Sequence, residues 1–156
     1  MYLDEAEFVD RMGLFFETIG ATRTMGRLYG WLMICDPPQQ SLSELSEALS
    51  ASKASVSTVA RQLQEGGMVE RLPSSARQHR YRIMPGGFTH VLKVQLTLMG
   101  SGIAAADFGL QLLGGDRLEQ RERLQDFRDF CEFSAHDYRD ELTSRWEQYR
   151  AERRTR

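Results

Sequence analysis

Between Pro38 and Gly86 the chain switches from helical to strand spacing inside a span bounded by prolines and glycines, and few folds accept that order. Ser41-Leu42-Ser43-Glu44 is a capping box, a hydroxyl at the cap with a carboxylate three residues on. It predicts a short helix with Leu45, Ala48 and Leu49 inward, ending near Ser50. Ser52 offers a second N-cap, and Val56, Val59, Ala60 and Leu63 then form the inner stripe of a longer helix from Lys53 to Glu65. Gly66-Gly67 stops it, since glycine tolerates the left-handed conformation beyond a helix end. Met68–Leu72 and His79–Met84 read as strands joined by the polar loop Pro73-Ser74-Ser75-Ala76-Arg77-Gln78, and Pro85-Gly86-Gly87 closes the unit. Two helices joined by a tight turn and followed by a hairpin define a winged helix-turn-helix.

The flanks are helical. Asp4–Ile19 carries Phe8, Met12, Phe15, Phe16 and Ile19 at helical spacing, with Asp4, Glu5 and Glu7 at the end that favours negative charge. Thr24–Cys35 places Leu28, Trp31, Leu32 and Cys35 on one side before Asp36-Pro37-Pro38 ends it. Phe88–Leu113 is apolar and weakened by Gly100, Gly102 and Gly109. After Gly114-Gly115-Asp116, a final helix from Arg117 to about Arg150 repeats Leu124, Phe127, Cys131, Tyr138, Leu142, Trp146 and Tyr149 every three or four residues or their multiple. A helix of that length in a chain of 156 residues cannot cover its own stripe, so it is expected to pack against a second subunit. The expected fold is mainly α with a small β-hairpin wing, the winged helix-turn-helix being flanked by long dimerisation helices. Residues 1–21 form an N-terminal dimerisation helix, 22–85 the winged head and 86–156 the C-terminal dimerisation helices.

Charge narrows the function. From Ser52 to Arg82 six basic residues face two acidic ones, a local charge of +4 in a chain whose total is −2. A basic centre in an acidic frame points to a local anionic partner. The side of Lys53–Glu65 opposite its apolar stripe consists of Ala54, Ser55, Ser57, Thr58, Arg61 and Gln62, short near the N-terminus and longer further along. That gradation suits a helix entering a major groove tip-first. Hydroxyls and amides bond base edges or phosphates, Ala54 meets a thymine methyl, and Arg61 reads guanine or a phosphate. The helix N-terminus at Ser52 and Lys53 favours a phosphate, with Ser52 chiefly a cap. Arg77, Gln78, His79, Arg80 and Arg82 make the hairpin a wing for the minor groove or the phosphates.

Gly26-Arg27-Leu28-Tyr29-Gly30-Trp31, Leu42-Ser43-Glu44-Leu45-Ser46-Glu47-Ala48-Leu49, Ser52-Lys53-Ala54-Ser55-Val56-Ser57-Thr58 and Gly66-Gly67-Met68-Val69-Glu70-Arg71 resemble the GbsR-type branch of the MarR transcriptional regulators. The likeness is greatest to actinobacterial members that repress transporter or efflux genes, and it runs from about Phe8 to Ile83. It implies a homodimer with interlocked terminal helices, two winged heads on a pseudo-palindromic double-stranded operator, and release by a small ligand. Two positions depart from that pattern. Ser50 stands where the family usually has a turn glycine, and Ala76 where many members have an aspartate that orients the following arginine, here Arg77.

Other signals point elsewhere or nowhere. Gly100-Ser101-Gly102-Ile103-Ala104-Ala105 matches a dinucleotide fingerprint but follows no strand; its small residues suit close helix packing or a bend beside a cavity. His79, His90 and His136 lack metal-ligand spacing, no nucleophile has a base beside it, and no cofactor or catalysis is expected. Cys35 and Cys131 make no disulfide framework, and Cys35 reads as a small apolar residue with a redox switch as the other reading. Apolar runs reach four residues, as at Trp31–Ile34, far below the length of a membrane span, and the acidic start Met-Tyr-Leu-Asp-Glu fits the cytoplasm better than export. Phe15, Phe16, Trp31, Phe88 and Phe108 are ordinary core or the lining of a pocket for a lipophilic effector. The rival to a DNA-binding regulator is a winged-helix module that offers its basic face to an acidic protein.

Overall fold

The computed structural model describes residues 2–73 and 79–154. Two compact units divide the chain, Met1–His90 and Val91–Arg156.

The first unit is organised by a helix crossing without side chains at its centre. Helix α1 (Leu3–Thr18) packs on α2 (Arg23–Ile34). A Cβ at Gly26 would lie 2.3 Å from the Met12 carbonyl oxygen and 2.8 Å from the Gly13 Cα. One at Gly30 would meet the Met12 Cβ at 2.8 Å. The helices therefore touch backbone to backbone, and Val9, Phe16, Leu28 and Leu32 close over the contact, all buried. Arg27 Nε adds an ion pair to Asp10 Oδ1 at 2.9 Å. The buried stripe of α1 is Val9, Gly13 and Phe16, not the larger set expected; Phe15 and Ile19 are exposed. The glycine contact rotates the helix toward its smallest residue, which a count of large apolar side chains misses.

Helix α3 (Leu42–Leu49) and helix α4 (Lys53–Glu65) follow the short strand β1 (Gln40–Ser41). Leu45, Leu49, Val56, Val59, Ala60 and Leu63 are all buried where the two meet each other and α2. Strands β2 (Val69–Leu72) and β3 (Arg80–Ile83) pair antiparallel, with Val69 opposite Ile83 and Glu70 opposite Arg82. β1 joins the free side of β3, Gln40 opposite Tyr81 and Ser41 opposite Arg80, giving the order β1-β3-β2. This third strand has two polar residues and no alternation to reveal it, so it is absent from the sequence expectation. Helix α5 (Gly87–Leu98) begins in this unit, with His90 packed over Gly67.

In the second unit the expected helix Phe88–Leu113 is two helices, α5 and α6 (Ser101–Leu112), parted at Met99-Gly100. Helix α7 (Leu118–Glu132) runs antiparallel to α6. Gly102 and Gly109 make that approach close: a Cβ at Gly102 would lie 2.5 Å from Cys131 Sγ, and one at Gly109 would lie 2.9 Å from Leu124 Cδ1. Charged groups lock the pair at two heights. Arg128 Nε donates to Asp107 Oδ1 at 2.7 Å, and Arg121 Nη1 donates to the last carbonyls of α6, Leu110 at 2.9 Å and Leu113 at 3.0 Å. The glycines of the rejected dinucleotide match thus serve helix packing. The final helix passes through a π-helical segment (Phe133–Tyr138) into α8 (Arg139–Arg154). Ser134 and Ala135 are buried there, as is Cys131 just before them.

Gly26→Ala is expected to destabilise the protein by about 2–3 kcal/mol, because a methyl group at a backbone crossing forces the helices apart. Urea unfolding checks it, and an unchanged midpoint would contradict the backbone contact.

Candidate nucleic-acid interface

The turn between α3 and α4 is three residues, Ser50 to Ser52. Ser50 has φ 51° and ψ 42°, the left-handed conformation in which its Cβ is crowded. The turn is held from both sides: Ser50 N–H donates to the Glu47 carbonyl at 3.2 Å, Ala51 N–H to the Ser46 carbonyl at 3.1 Å, and Ser46 Oγ to the Ala51 carbonyl at 2.6 Å. Those bonds hold a serine where glycine fits without strain. Ser52 then caps α4, its Oγ accepting from Ser55 N–H at 3.2 Å.

From that fixed start α4 turns Ala54, Ser55, Ser57, Thr58, Arg61 and Gln62 to the surface, together with Ser52 and Lys53 at its end. Thr58 Oγ1 donates to the Ala54 carbonyl at 3.0 Å, and Arg61 Nε lies 3.9 Å from Glu65 Oε1. His79 is exposed just before β3; Arg77 and Gln78, like Ala76, lie outside the described residues.

Arg80 and Arg82 have protein partners. Arg82 Nε pairs with Glu70 across the hairpin. Arg80 Nη2 donates to the Gln39 carbonyl at 2.9 Å and to Glu44 Oε1 at 3.0 Å, with its side chain 29% exposed. Glu44 Oε2 meanwhile accepts from Ser41 N–H at 2.6 Å, and Glu44 N–H donates back to Ser41 Oγ at 3.3 Å. One carboxylate thus closes the capping box of α3 and ties strand β3 to it. The sequence marks Glu44 as a cap alone. Its partner is 36 residues away, a separation at which nothing in the sequence pairs them. The Ser41 N–H first, then the Ser41 hydroxyl and Arg80, hold the Glu44 carboxyl below its usual range, against a smaller opposing effect of burial.

Of the aromatic residues assigned to core or effector pocket, Phe15, Phe16 and Phe88 come together around Tyr29. Phe88 stands 5.3 Å from Tyr29 and 5.9 Å from Phe16 between ring centres, and Phe15 stands 6.2 Å from Phe88. Trp31 is half-buried, with no acceptor for its indole N–H among the described residues, and Phe108 belongs to the second unit, where it is exposed. Cys35 is buried and its thiol is pushed up by that burial, the reverse of what a reactive thiolate needs.

A capped helix pair with one helix face outward, beside a braced hairpin, is the head of a winged helix-turn-helix protein. The comparisons with known proteins agree. Residues 86–149 match the family described as MmpR5-like MarR family transcriptional regulator, and residues 33–77 match the MarR family. The HTH-type transcriptional regulator MmpR5 of Mycobacterium tuberculosis is 39% identical over 131 residues, covering 83% of this chain and 79% of that one. A crystal structure of a transcriptional regulator superposes with a TM-score of 0.77 at 36% identity, covering 93% of this chain and 99% of the other. The chain belongs to the MarR family of winged-helix transcriptional regulators, which are not enzymes. No helix among the described residues is long and apolar enough to cross a membrane.

Two outcomes test this local chemistry. Ser50→Gly should stabilise the protein by about 0.5 kcal/mol, relief of the left-handed serine exceeding the added chain entropy of glycine; a lower denaturant midpoint would contradict it. Glu44→Gln keeps an acceptor for Ser41 and removes the charge facing Arg80. Because the folded carboxyl sits below its usual range, it adds stability above about pH 4 that is lost as pH falls through the lowered value. The variant should therefore be about 0.5–1 kcal/mol less stable at pH 7 and converge with the parent in acid, as followed by urea unfolding across pH.

Proposed function

We propose that the chain is a homodimeric regulator that binds a pseudo-palindromic DNA operator in a sequence-specific way and represses transporter or efflux genes until a small lipophilic effector releases it. The observation that carries this reading is the division of α4. Val56, Val59, Ala60 and Leu63 are buried, so Ala54, Ser55, Ser57, Thr58, Arg61 and Gln62 are held outward as one surface, with the hairpin beside them. Ser52 and Lys53 at the helix start meet a phosphate, and His79, Arg82, Arg77 and Gln78 supply the wing's contacts. Arg80 serves that wing as a brace through Glu44 and Gln39.

Residues 22–85 read DNA in this proposal, and residues 1–21 and 86–156 join the subunits. Support for the dimer comes from apolar side chains left at the surface of the second unit, among them Phe108, Leu112, Phe130 and Trp146. Support for the effector comes from the Phe15, Phe16, Tyr29 and Phe88 cluster, in which Phe15 and Phe88 keep exposed edges. A ligand acts there only by binding more tightly to the arrangement that does not fit DNA.

The test is retention of duplexes carrying the DNA upstream of the chain's own gene against scrambled duplexes over a range of salt. A regulator shows a sequence preference, half-sites about one helical turn apart, and a log–log salt slope of about −0.9 per phosphate contacted. Arg61→Ala should reduce the preference while leaving scrambled DNA little changed. No preference and no slope would select the rival, a module that docks an acidic protein.

A further inference from the structure

We infer that α4 recognises a thymine in each half-site through the methyl groups of Ala54 and Thr58. This rests on the DNA-binding reading above and specifies its chemistry. At 3.6 residues per turn, Ala54, Thr58, Arg61 and Glu65 fall on a single ridge opposite the buried stripe. The two halves of that ridge differ. Arg61 and Glu65 face each other at 3.9 Å, which puts a carboxylate at the far end, where phosphates would be repelled. Ala54 and Thr58 occupy the near end, both exposed and one turn apart. Their Cβ atoms stand about 6 Å from each other, close to two base steps of about 3.4 Å.

Thr58 decides what that end can read. Its hydroxyl proton is already given to the Ala54 carbonyl at 3.0 Å, so the oxygen is turned back against its own helix. At the start of the helix the Ser52 oxygen is likewise engaged, accepting from Ser55 N–H at 3.2 Å. At the near end of the ridge the methyl groups of Ala54 and Thr58 are therefore presented together, with Ser55 and Ser57 on either side of them on the same outward face. In the major groove thymine alone presents a methyl, at C5, and alanine and threonine methyls are its apolar partners. Cytosine would place a bare C5 against the same pair and forgo that apolar contact.

The experiment begins with the whole chain selecting its preferred duplex from a random-sequence library. Each thymine of that duplex is then replaced in turn by deoxyuridine, which lacks only the C5-methyl group. One thymine position per half-site should lose about fourfold in affinity, the worth of one methyl removed from water. Thr58→Ser keeps the bond to the Ala54 carbonyl and deletes only the methyl; it should bind thymine and deoxyuridine at that position within about twofold of each other. Its unchanged affinity for the deoxyuridine duplex shows that the variant is folded. A wild-type chain that prefers its duplex yet is indifferent to deoxyuridine everywhere overturns the thymine inference and leaves DNA binding intact. A Thr58→Ser variant that keeps the full discrimination overturns it equally. Absence of any preferred duplex overturns both readings.

Discussion

The burial of Val56, Val59, Ala60 and Leu63 is the constraint on which the rest of the head depends. Four apolar side chains on one side of a 13-residue helix leave a single rotation that removes them from water. That rotation fixes which residues look outward, with no interaction needed on the outward side itself. Ala54, Ser55, Ser57, Thr58, Arg61 and Gln62 contribute little to holding the fold. They are therefore open to selection for what they touch. The same logic places α2 at the centre: Leu28, Tyr29 and Leu32 are buried, and Gly26 and Gly30 let α1 close against it without a spacer.

Orientation of the wing has a different origin. β3 lies between β2 and β1, and a two-residue β1 offers few ladder bonds to hold it. The carboxylate of Glu44 supplies the missing restraint by meeting Ser41 N–H and Arg80 together. Because one group serves both the start of α3 and the strand, the angle of the hairpin and the position of the helix pair are set jointly. An exposed ion pair alone adds little stability. Its value here is geometric, since it holds the hairpin at one angle to the helix pair.

The helix pair was legible in the sequence because its signals are local. Caps at Ser41 and Ser52, the stripe from Val56 to Leu63 and the stop at Gly66 act within a few residues, and α4 runs from Lys53 to Glu65 as the spacing predicts. Ser50 was readable too, as a residue in a glycine position, and its positive φ follows from the same turn. What was not legible depends on distant partners. β1 exists because β3 is beside it, and Arg80 meets Glu44 across 36 residues. The division of Phe88–Leu113 falls at Gly100, one of the glycines that weaken that stretch, but neither it nor the π-helical segment beside Cys131 is encoded in hydrophobic period. The outward side of α1 departs from the spacing of its large apolar residues for a related reason. Large apolar residues such as Phe15 suggest the core, whereas Gly13 is what the neighbouring helix needs.

The pairing of the basic residues bears on how such a head separates affinity from discrimination. Counting charges in the sequence suggests a strongly cationic centre, but Arg61, Arg80 and Arg82 each have a carboxylate nearby in Glu65, Glu44 and Glu70. Neutralised arginines release fewer counterions on meeting a duplex, so the sequence-independent part of binding is smaller than the charge count implies. A chain with net charge −2 is also repelled by DNA at long range. On the reading proposed above, recognition then falls more heavily on short-range contacts, the methyl groups, hydroxyls and amide of α4, which gain energy only where the base edges match. A head built this way would forgo tight binding to arbitrary DNA, and the proposed pair of heads in a dimer would recover affinity only where both half-sites fit.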